Sequence, residues 1–302
     1  MDINSYLVPG KRAHLAGIGG VSMSPLAEVL HSMGLSVQGS DMNDSPAVEH
    51  LRALGIPVAI GHAADNLGDA DFVVRTAAIH DDNPEISGAV ARGIPVFERA
   101  QAWGAIMHGY RNALCISGTH GKTTTTTLIS EMLKAEGKTV WLGGNIGTPL
   151  LPLVRQMQEA DIAVVELSSF QLMDMKRSPQ RAVVTNLAPN HLDIHKDMQE
   201  YINAKRNILL YQKQPCRAVL GYENEISRSM QADCKGKQVW FTRLHDTDNG
   251  AFLRKDGMLC MAEDGVVTPF LAQKDVKLRG LHNIENLLAA AAAVWGEVPV
   301  EA

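Results

Sequence analysis

The sequence predicts an α/β fold made of two successive domains, each with an open, mostly parallel sheet and helices on its faces. Strand-like and helix-like segments alternate over residues 12–107, and the alternation restarts after a polar joint near residue 110. Short alternating runs separated by Asp-Gly turns in residues 251–268 predict a small antiparallel sheet in the second domain. We place the boundary in the polar joint, which gives domains 1–110 and 111–302.

The first domain opens with a strand at Arg12–Ala16 that leads into the glycine loop Gly17–Ser22. An apolar run that ends at a glycine loop and is followed by apolar residues at helical spacing indicates a strand–turn–helix unit. The alternation then continues through helix Pro25–Met33, strand Ser36–Gly39 (ending at Ser40-Asp41), helix Pro46–Leu54, strand Phe72–Val74, helix Pro84–Arg92 and strand Pro95–Phe97.

The second domain opens with the strand-like run Ala113–Cys115 and a helix-like stretch that extends through Leu133. Ligands of parallel sheets lie at the carboxyl ends of the strands, so the loops after these strands are the expected sites. The later elements are strands Thr139–Leu142, Ile162–Val165, Ala182–Thr185, Arg217–Leu220 and Gln238–Phe241, and helices Met198–Leu210 and Leu281–Trp295.

The composition is that of a soluble globular protein. Hydrophobic residues make up 45% of the 302 residues, charged residues 20%, and the formal net charge is −5, which gives no basic field for nucleic acid. The four cysteines show no Cys-x-x-Cys spacing, as is typical of reduced thiols in the cytosol. No apolar run reaches the ~18 residues of a membrane span, and no signal peptide is recognisable. We therefore expect a cytoplasmic protein with neither nucleic-acid nor membrane partners.

The loop Gly118–Thr124, with sequence Gly-Thr-His-Gly-Lys-Thr-Thr, is the most informative feature of the chain. Glycines let backbone N–H groups approach a phosphate, the helix that follows adds partial positive charge, and Lys122 can reach the outer phosphates. The hydroxyl of Thr123 is placed to ligate Mg²⁺. The loop differs from a strict Walker A loop, which has glycine where Ile116 stands. It still predicts a P-loop NTPase-like central domain that binds a polyphosphate.

The loop Gly17–Ser22 is similar to the dinucleotide fingerprint of Rossmann-like domains, with Ser22 in place of the third glycine. Asp41 ends the second strand, where an acid can meet a ribose or a base edge. A tight turn that binds no ligand and an NAD site are the alternatives for this loop. The second phosphate loop, about a hundred residues later, favours a nucleotide-linked substrate that is presented to ATP.

Polar side chains follow two further strands of the second domain. Glu166 comes directly after a buried strand, where an acid that binds Mg²⁺ is expected, and a solvated carboxylate is the alternative. The segment Asn186–Asp193 contains His191, whose spacing fits a substrate-contacting histidine and an ordinary loop residue equally. Because Mg²⁺ prefers oxygen ligands, a neutral imidazole suits it poorly.

Lys205 lies in the middle of the apolar face of helix Met198–Leu210, four residues from both Tyr201 and Leu209. One interpretation is a lysine whose stem packs while its amine reaches solvent. The other is a buried, functional amine. Burial favours the neutral form, and a neutral amine can react with CO₂ to form a carbamate that binds Mg²⁺.

Asn283 and Asn286 are three residues apart on one face of the last helix. Side-chain amides can pair with the edge of adenine. Capping of the helix by Asn283 is the alternative.

Together these residues resemble the Mur ligase family, the ATP-dependent amide-forming enzymes of peptidoglycan synthesis. In this family an N-terminal domain binds the UDP end of a UDP-N-acetylmuramoyl substrate, and a central domain binds ATP. The substrate carboxylate attacks the γ-phosphate to give an acyl phosphate, and an amino acid then displaces phosphate. The matching motifs run in family order along almost the whole chain: Gly118–Thr124, Gly144–Gly147, Glu166 with Ser168-Ser169, Asn186–His191, Lys205, and His282-Asn283 with Asn286.

The resemblance implies roles for individual residues. ATP would be bound by Gly118, Thr119, His120, Gly121, Lys122, Thr123, Thr124, Asn283 and Asn286. Mg²⁺ would be held by Thr123, Glu166, His191 and a carbamylated Lys205. The UDP substrate would meet Gly17, Gly19, Gly20, Val21, Ser22, Ser40, Asp41, Thr76, Asn145 and His191. Catalysis would fall to Lys122, His191 and Lys205, because metals and a lysine must neutralise the crowded anions.

The two halves are similar to different members of the family. Members that add L-alanine are matched by Gly17–Gly20, Gly39–Asp41, Thr76–Ile79, Asp82–Glu85 and His120, and members that add D-glutamate by Gly143–Gly147 and Glu166–Leu172. The central motif lines the reacting carboxylate. We therefore expect addition of D-glutamate to UDP-N-acetylmuramoyl-L-alanine, with addition of L-alanine to UDP-N-acetylmuramate as the alternative.

The family also has a C-terminal domain that carries much of the amino-acid site, and the chain ends at Ala302, where that domain is expected to begin. We therefore expect these residues to bind nucleotide and UDP substrate but to turn over poorly or not at all by themselves. Two other classes compete with this interpretation. A non-catalytic nucleotide-binding module has no need of Lys205, and an NAD-dependent dehydrogenase would use only the first glycine loop.

Overall fold

The structure is a computed structural model that describes residues 2–107, 112–146, 150, 153, 156–173, 175–190 and 195–300. The chain folds as two compact units, one of residues 1–107 with 149–157 and the other of residues 108–148 with 158–302. Each unit has its own sheet. Within the described residues, no helix has the length and apolarity needed to cross a membrane.

The first unit is built on strands β1 (Arg12–Ala16), β2 (Ser36–Asp41), β3 (Val58–Ile60), β4 (Phe72–Arg75) and β5 (Val96–Glu98). They form one parallel sheet in the order β3-β2-β1-β4-β5. The helices described in this unit are α1 (Ser24–Ser32), α2 (Pro46–Ala53), α3 (Pro84–Ala91) and α4 (Arg99–Met107). Ala16 pairs with Ser40 on one side and Arg75 on the other, so the glycine loop and the ends of β2 and β4 meet at one sheet edge.

The second unit contains a longer sheet. Its strands are β6 (Ala113–Ser117), β7 (Val140–Gly144), β8 (Ile162–Glu166), β9 (Arg181–Val184), β10 (Arg217–Gly221), β11 (Lys237–Thr242), β12 (Gly250–Leu253), β13 (Met258–Glu263) and β14 (Val266–Ala272). The order is β14-β13-β12-β11-β10-β9-β6-β8-β7. Every neighbouring pair from β12 to β7 in this order is parallel. The pairs β12–β13 and β13–β14 are antiparallel. The helices described here are α5 (Lys122–Ala135), α6 (Ser169–Met173), α7 (Met198–Leu210), α8 (Glu225–Ser229) and α9 (Leu281–Val294).

Helices α5 and α9 share one face of the longer sheet. Ile129 of α5 and Leu288 of α9 are buried in one apolar cluster with Ile116 of β6, and each such side chain contributes about 1.5–3 kcal/mol through its burial. Residues 289–293 of α9 are all alanine, and small side chains let the helix approach its neighbours closely. The packing brings the first turns of both helices to the sheet edge where β6 ends.

The α/β architecture predicted from the sequence is confirmed, and the helix predicted at Met198–Leu210 has those bounds in the structure. The sequence patterns do not predict β3, α6 and α8, which have only three to five residues, or α4, which lacks a clear apolar stripe. The antiparallel prediction for residues 251–268 holds for β12–β13 and β13–β14, but β12 pairs in parallel with β11. The predicted domain boundary lies in residues 108–111, outside the described residues.

Candidate functional site

The phosphate loop joins β6 to α5 and requires glycine at two positions. Gly118 has φ +142° and Gly121 has φ +81°, conformations that L side chains rarely adopt. A Cβ on Gly118 would lie 2.0 Å from Thr185 Oγ1, and one on Gly121 would lie 2.2 Å from Asn286 Oδ1. The loop is therefore held tightly against polar side chains that follow β9 and lie on α9.

The N-terminus of α5 offers hydrogen-bond donors to an anion. Within the described residues, its N-cap Gly121 provides no side-chain cap and its first turn carries no acidic residue. Lys122 Nζ donates a 3.0 Å hydrogen bond to Thr119 O, which folds the ammonium over the loop. Burial lowers the pKa of Lys122, and the charge of Glu166 opposes that shift.

Glu166, the last residue of β8, contacts the first turn of α5. Its Oε2 accepts a 2.8 Å hydrogen bond from Thr123 Oγ1, and its Oε1 accepts a longer one, 3.4 Å, from Asn145 Nδ2. The side chain is buried, with 2% exposure, so the solvated alternative is wrong. No group of three or more His, Cys, Asp or Glu side chains in the described part of the chain could hold a metal ion. A cation here would instead share a hydroxyl and a carboxylate with ligand or water oxygens, the donors that Mg²⁺ prefers.

Lys205 extends from α7 into the space beneath the phosphate loop. Its Nζ donates to Gly118 O at 2.9 Å and to Ser117 Oγ at 3.2 Å. The residue is 2% exposed, so the amine is buried and does not reach solvent, and the function expected of it remains a prediction. The ring centre of Tyr201 lies 5.0 Å from Nζ, within cation–π distance.

The surroundings of Lys205 make its charged form unfavourable. Burial is the largest cause and the charge of Lys122 the next; together they lower the pKa of Lys205 to about 7, while Glu166 opposes the shift. At neutral pH a large share of this amine is therefore unprotonated.

Three residues to which sequence reasoning assigned no role hold the phosphate loop: Asn186, which belongs to a matched motif, Tyr201 and Thr185. Asn186 O accepts from Thr119 N–H at 2.7 Å, and Asn186 Oδ1 accepts from His120 N–H at 3.0 Å. Tyr201 OH lies 2.9 Å from Thr119 Oγ1, and Thr185 Oγ1 donates to His120 O at 2.7 Å. The available signals in the sequence were the strand-end position of Thr185 and the position of Tyr201 one helical turn before the buried lysine.

Asn286 is buried on α9 beside Gly121. Its Nδ2 donates to Asn283 Oδ1 at 3.0 Å, and Asn283 Nδ2 donates to Arg279 O at 2.7 Å. Helix α9 has Gly280 as its N-cap, so Asn283 does not cap the helix as the alternative supposed. Asn286 thus lies against the phosphate loop with Asn283 hydrogen-bonded to it, and their contact with adenine remains a prediction.

In the first unit, the glycine loop after β1 packs against the ends of β2 and β4. Gly17 N–H donates to Ser40 O at 2.9 Å, and Gly19 N–H donates to Asp41 Oδ2 at 2.9 Å. A Cβ on Gly17 would lie 2.9 Å from Thr76 Cγ2. The structure thus brings the predicted loop, Ser40, Asp41 and Thr76 together.

The second half of this loop, from Gly20 to Ser22, faces solvent, and Val21 is 87% exposed. The Ser22 hydroxyl accepts a hydrogen bond from the guanidinium of Arg99, a residue that sequence reasoning missed. Burial lowers the pKa of Arg99, and Glu98 opposes the shift. Among the described residues no carboxylate forms an ion pair with Arg99, and the neighbouring Glu98 is paired with Arg75.

Glu85 lies fully buried below the glycine loop. Its Oε2 accepts from Ser40 Oγ at 2.6 Å and lies 3.1 Å from His14 Nε2, and its Oε1 accepts from Asn66 Nδ2 at 2.7 Å. Burial alone would raise the pKa of Glu85, but the contacts with His14, Ser40 and Asn66 outweigh it and hold the pKa at about 2.

We expect the first unit to lose stability as the pH falls from about 4.5 to about 2. The pKa of Glu85 in the folded state lies below its ordinary value of 4.5, so the unfolded chain binds this proton more tightly. The stabilisation is complete above the ordinary pKa, is lost as the pH falls through the folded pKa, and amounts to at most about 3 kcal/mol. Urea unfolding between about pH 6 and pH 2.5 tests this, monitored by the fluorescence of Trp103 in a chain whose other three tryptophans are replaced by phenylalanine. Glu85→Gln should be less stable at the upper pH and show a flatter profile; parallel profiles would contradict the expectation.

Some predicted residues fall outside the described part of the chain. His191 lies in residues 191–194 and Gly147 in residues 147–149, neither of which the structure describes. Their predicted roles remain predictions.

Comparison with known proteins gives the family. Residues 12–111 match the family model described as Mur ligase family, catalytic domain, and residues 116–294 match the one described as Mur ligase middle domain. The second match alone spans more than half of the chain. The chain therefore belongs to the Mur ligase family, as its motifs predicted.

Relatives and solved structures agree with this membership. UDP-N-acetylmuramoylalanine–D-glutamate ligases of Acetivibrio thermocellus and Clostridium tetani are each 39% identical to this chain, over 95% and 97% of it and 62% and 64% of their own length. The chain thus spans less than two thirds of these relatives. The structure of UDP-N-acetylmuramate:L-alanyl-γ-D-glutamyl-meso-diaminopimelate ligase from Neisseria meningitides matches with a TM-score of 0.65 at 24% identity, over 94% of this chain and 93% of that one. UDP-N-acetylmuramate–alanine ligase from Thermotoga maritima matches with a TM-score of 0.56 at 25% identity, over 94% and 64%.

Proposed function

We propose that this chain forms the substrate- and nucleotide-binding parts of a ligase that uses ATP to join D-glutamate to UDP-N-acetylmuramoyl-L-alanine in peptidoglycan synthesis. The observation that carries the proposal is the 2.8 Å contact between Thr123 and Glu166 beside the phosphate loop. A hydroxyl and a carboxylate in these positions are the groups that hold a magnesium-bound nucleotide. The D-glutamate ligases at 39% identity support the choice of reaction. Residues 1–110 would bind the UDP substrate and residues 111–302 would bind ATP.

The phosphate loop fits the phosphates of ATP. The start of α5 at Gly121 has no side-chain cap, so its first N–H groups can meet a phosphate, and the helix adds partial positive charge. Lys122 would exchange Thr119 O for an oxygen of the γ-phosphate. Asn283 and Asn286 would contact the adenine edge, and ADP would be the product.

The Thr123–Glu166 pair fits Mg²⁺, because both side chains supply oxygen and lie within one hydrogen bond of each other. When bound, Mg²⁺ would neutralise charge on the transferred phosphoryl group. Thr123 would turn its hydroxyl lone pair to the cation, and Glu166 would give up its hydrogen bond from Thr123. His191 is proposed as a further ligand.

Lys205 is proposed to react with CO₂. The unprotonated amine that its environment favours is the nucleophile: its nitrogen would bond to the carbon of CO₂ as one C=O π bond opens, and an N–H proton would leave to water. The side chain would then carry a carbamate anion in place of its ammonium. Together with His191, that carboxylate would serve a second Mg²⁺ near the phosphate loop. Tyr201 would orient the side chain, since its ring already lies against the amine.

The first glycine loop is proposed to hold the UDP end of the substrate. The Ser22 hydroxyl and the guanidinium of Arg99 would meet the diphosphate, because this arginine has no carboxylate partner among the described residues. Asp41 would meet the ribose or the uracil. The muramoyl part would approach Asn145 and His191.

Calorimetric titration of the 302-residue chain tests the proposed reaction. With Mg²⁺ and a non-hydrolysable ATP analogue present, UDP-N-acetylmuramoyl-L-alanine should bind roughly tenfold more tightly than UDP-N-acetylmuramate, since its extra residue meets the central site. The opposite preference would make this an L-alanine ligase, as the motifs of the first domain suggested. Binding of neither compound would contradict the assignment of the first glycine loop.

A further inference from the structure

The main-chain pairing of β9 with β10 ends just before the site, and beyond it the side chain of Asn224 binds the main chain that follows β9. The ladder ends with Val184 opposite Leu220. Beyond it, Asn224 Oδ1 accepts from Leu187 N–H at 3.1 Å, and Asn224 Nδ2 donates to Leu187 O at 2.9 Å. One amide therefore satisfies both main-chain groups of Leu187, a residue that is 1% exposed.

The two residues that flank Leu187 in the chain both form hydrogen bonds with the phosphate loop. Asn186 binds it through Thr119 N–H and through both the N–H and the carbonyl of His120. Ala188 N–H donates to Thr119 Oγ1 at 3.0 Å, and the same hydroxyl donates to Ala188 O at 3.2 Å. The segment 186–188 is thus a short support with the phosphate loop on one side and Asn224 on the other.

We propose that Asn224 is a positioning residue for the phosphate loop: it fixes the segment 186–188, which binds the main chain of Thr119 and His120 and so keeps the loop in the shape that receives an anion. The inference rests on the proposed function only for the identity of the anion, which is the polyphosphate of ATP. The geometry itself is present without a ligand. Nucleotide binding then requires little reordering of the loop, so the affinity depends on Asn224 although it contacts no ligand.

Only an amide side chain can both accept a hydrogen bond from Leu187 N–H and donate one to Leu187 O, as Asn224 does. The same Oδ1 also accepts from Ser227 N–H at 2.9 Å and so caps α8. Aspartate would keep both acceptor functions but would place an oxygen against Leu187 O, where the donor now stands. Asn224→Asp therefore removes one hydrogen bond to the support and leaves the helix cap, with almost no change in size.

Asn224→Asp should weaken binding of a magnesium-bound, non-hydrolysable ATP analogue by roughly tenfold. It should also speed hydrogen exchange at the amides of Thr119 and His120, measured by NMR without nucleotide, by a similar factor. The matched control is Ser227→Ala, which removes the hydroxyl contacts with Gly221 O and with the main-chain oxygen of Asn224 but leaves the Asn224 side chain and its bonds to Leu187 in place. The control should lower the melting temperature and leave both the affinity and the two exchange rates unchanged.

The inference is overturned if Asn224→Asp leaves the two exchange rates within twofold of the wild-type values, or if Ser227→Ala changes them equally. Should Asn224→Asp fail to fold, Asn224→Ser, which keeps a short cap, takes its place with the same expected result. If the wild-type chain binds no ATP analogue, the proposed function fails. The exchange measurement needs no nucleotide, so it still decides the role of Asn224.

Discussion

Substitution of Glu166 by glutamine should weaken magnesium-dependent binding of an ATP analogue by roughly 30- to 100-fold, the effect of removing a buried charged partner. Glutamine has nearly the same shape and can still accept the hydrogen bond from Thr123, so the sheet edge should remain intact. The substitution removes only the negative charge of the carboxylate, which is the charge that would bind a divalent cation. Titrations with the analogue at a fixed excess of Mg²⁺, repeated in EDTA, measure the effect.

The effect of Glu166→Gln on binding of the analogue should appear only when Mg²⁺ is present. In EDTA the wild-type chain and Glu166→Gln should bind the analogue equally within about twofold, because the carboxylate then has no cation to hold. Glu131→Gln is the matched control: it makes the same change on α5 at an exposed residue paired with Lys134. A loss that persists in EDTA, or one that Glu131→Gln reproduces, would contradict a metal role for Glu166.

Local sequence patterns were sufficient for the elements that build the site. The phosphate loop is preceded by an apolar run and followed by helical spacing, and α7 shows its apolar face over its full length, so both were predicted. The parallel pairing of β12 with β11 was not predicted, because the Asp-Gly turns indicate only the antiparallel hairpins that follow β12. Short elements such as β3 and α8 give too few residues for any period to emerge.

The same distinction separates the site residues that could be predicted from those that could not. Glu166 and Lys205 stand out locally, one at the end of a strand and the other on an apolar face. Asn224, Tyr201 and Arg99 act on partners that are 37, 82 and 77 residues away in the chain, respectively, so no spacing reveals them. Sequence pointed to Glu166 and Lys205, which are proposed to meet a ligand. The fold was needed to find Asn224 and Tyr201, which contact the phosphate loop or its support, and Arg99, which is proposed to meet the diphosphate.

Gly118→Ala should lower the free energy of unfolding of the second unit by about 3–5 kcal/mol, which combines backbone strain with a steric clash. The backbone has φ +142°, and the new Cβ would lie 2.0 Å from Thr185 Oγ1 and 3.1 Å from Asn186 O. Urea unfolding monitored by tryptophan fluorescence in a Trp103→Phe background measures the loss, because the remaining tryptophans all lie in the second unit. The variant should also lose nucleotide binding, since the loop must move away from β9 to accept the methyl group.

A substitution at a second glycine of the same unit distinguishes the effect of backbone strain from that of the steric clash. Gly137 has φ +72° with nothing within 4 Å of its Cβ position, so Gly137→Ala should cost only about 1 kcal/mol. Adding Thr185→Ala to Gly118→Ala removes the nearest clashing atom, so the double variant should be more stable than the sum of the single effects predicts. Suppose that Gly118→Ala and Gly137→Ala lower the free energy of unfolding equally, or that the effects of Gly118→Ala and Thr185→Ala are additive. Either result would mean that the phosphate loop can move to accept a Cβ. The phosphate loop would then not be the rigid, preformed cradle on which the assignment of this site depends.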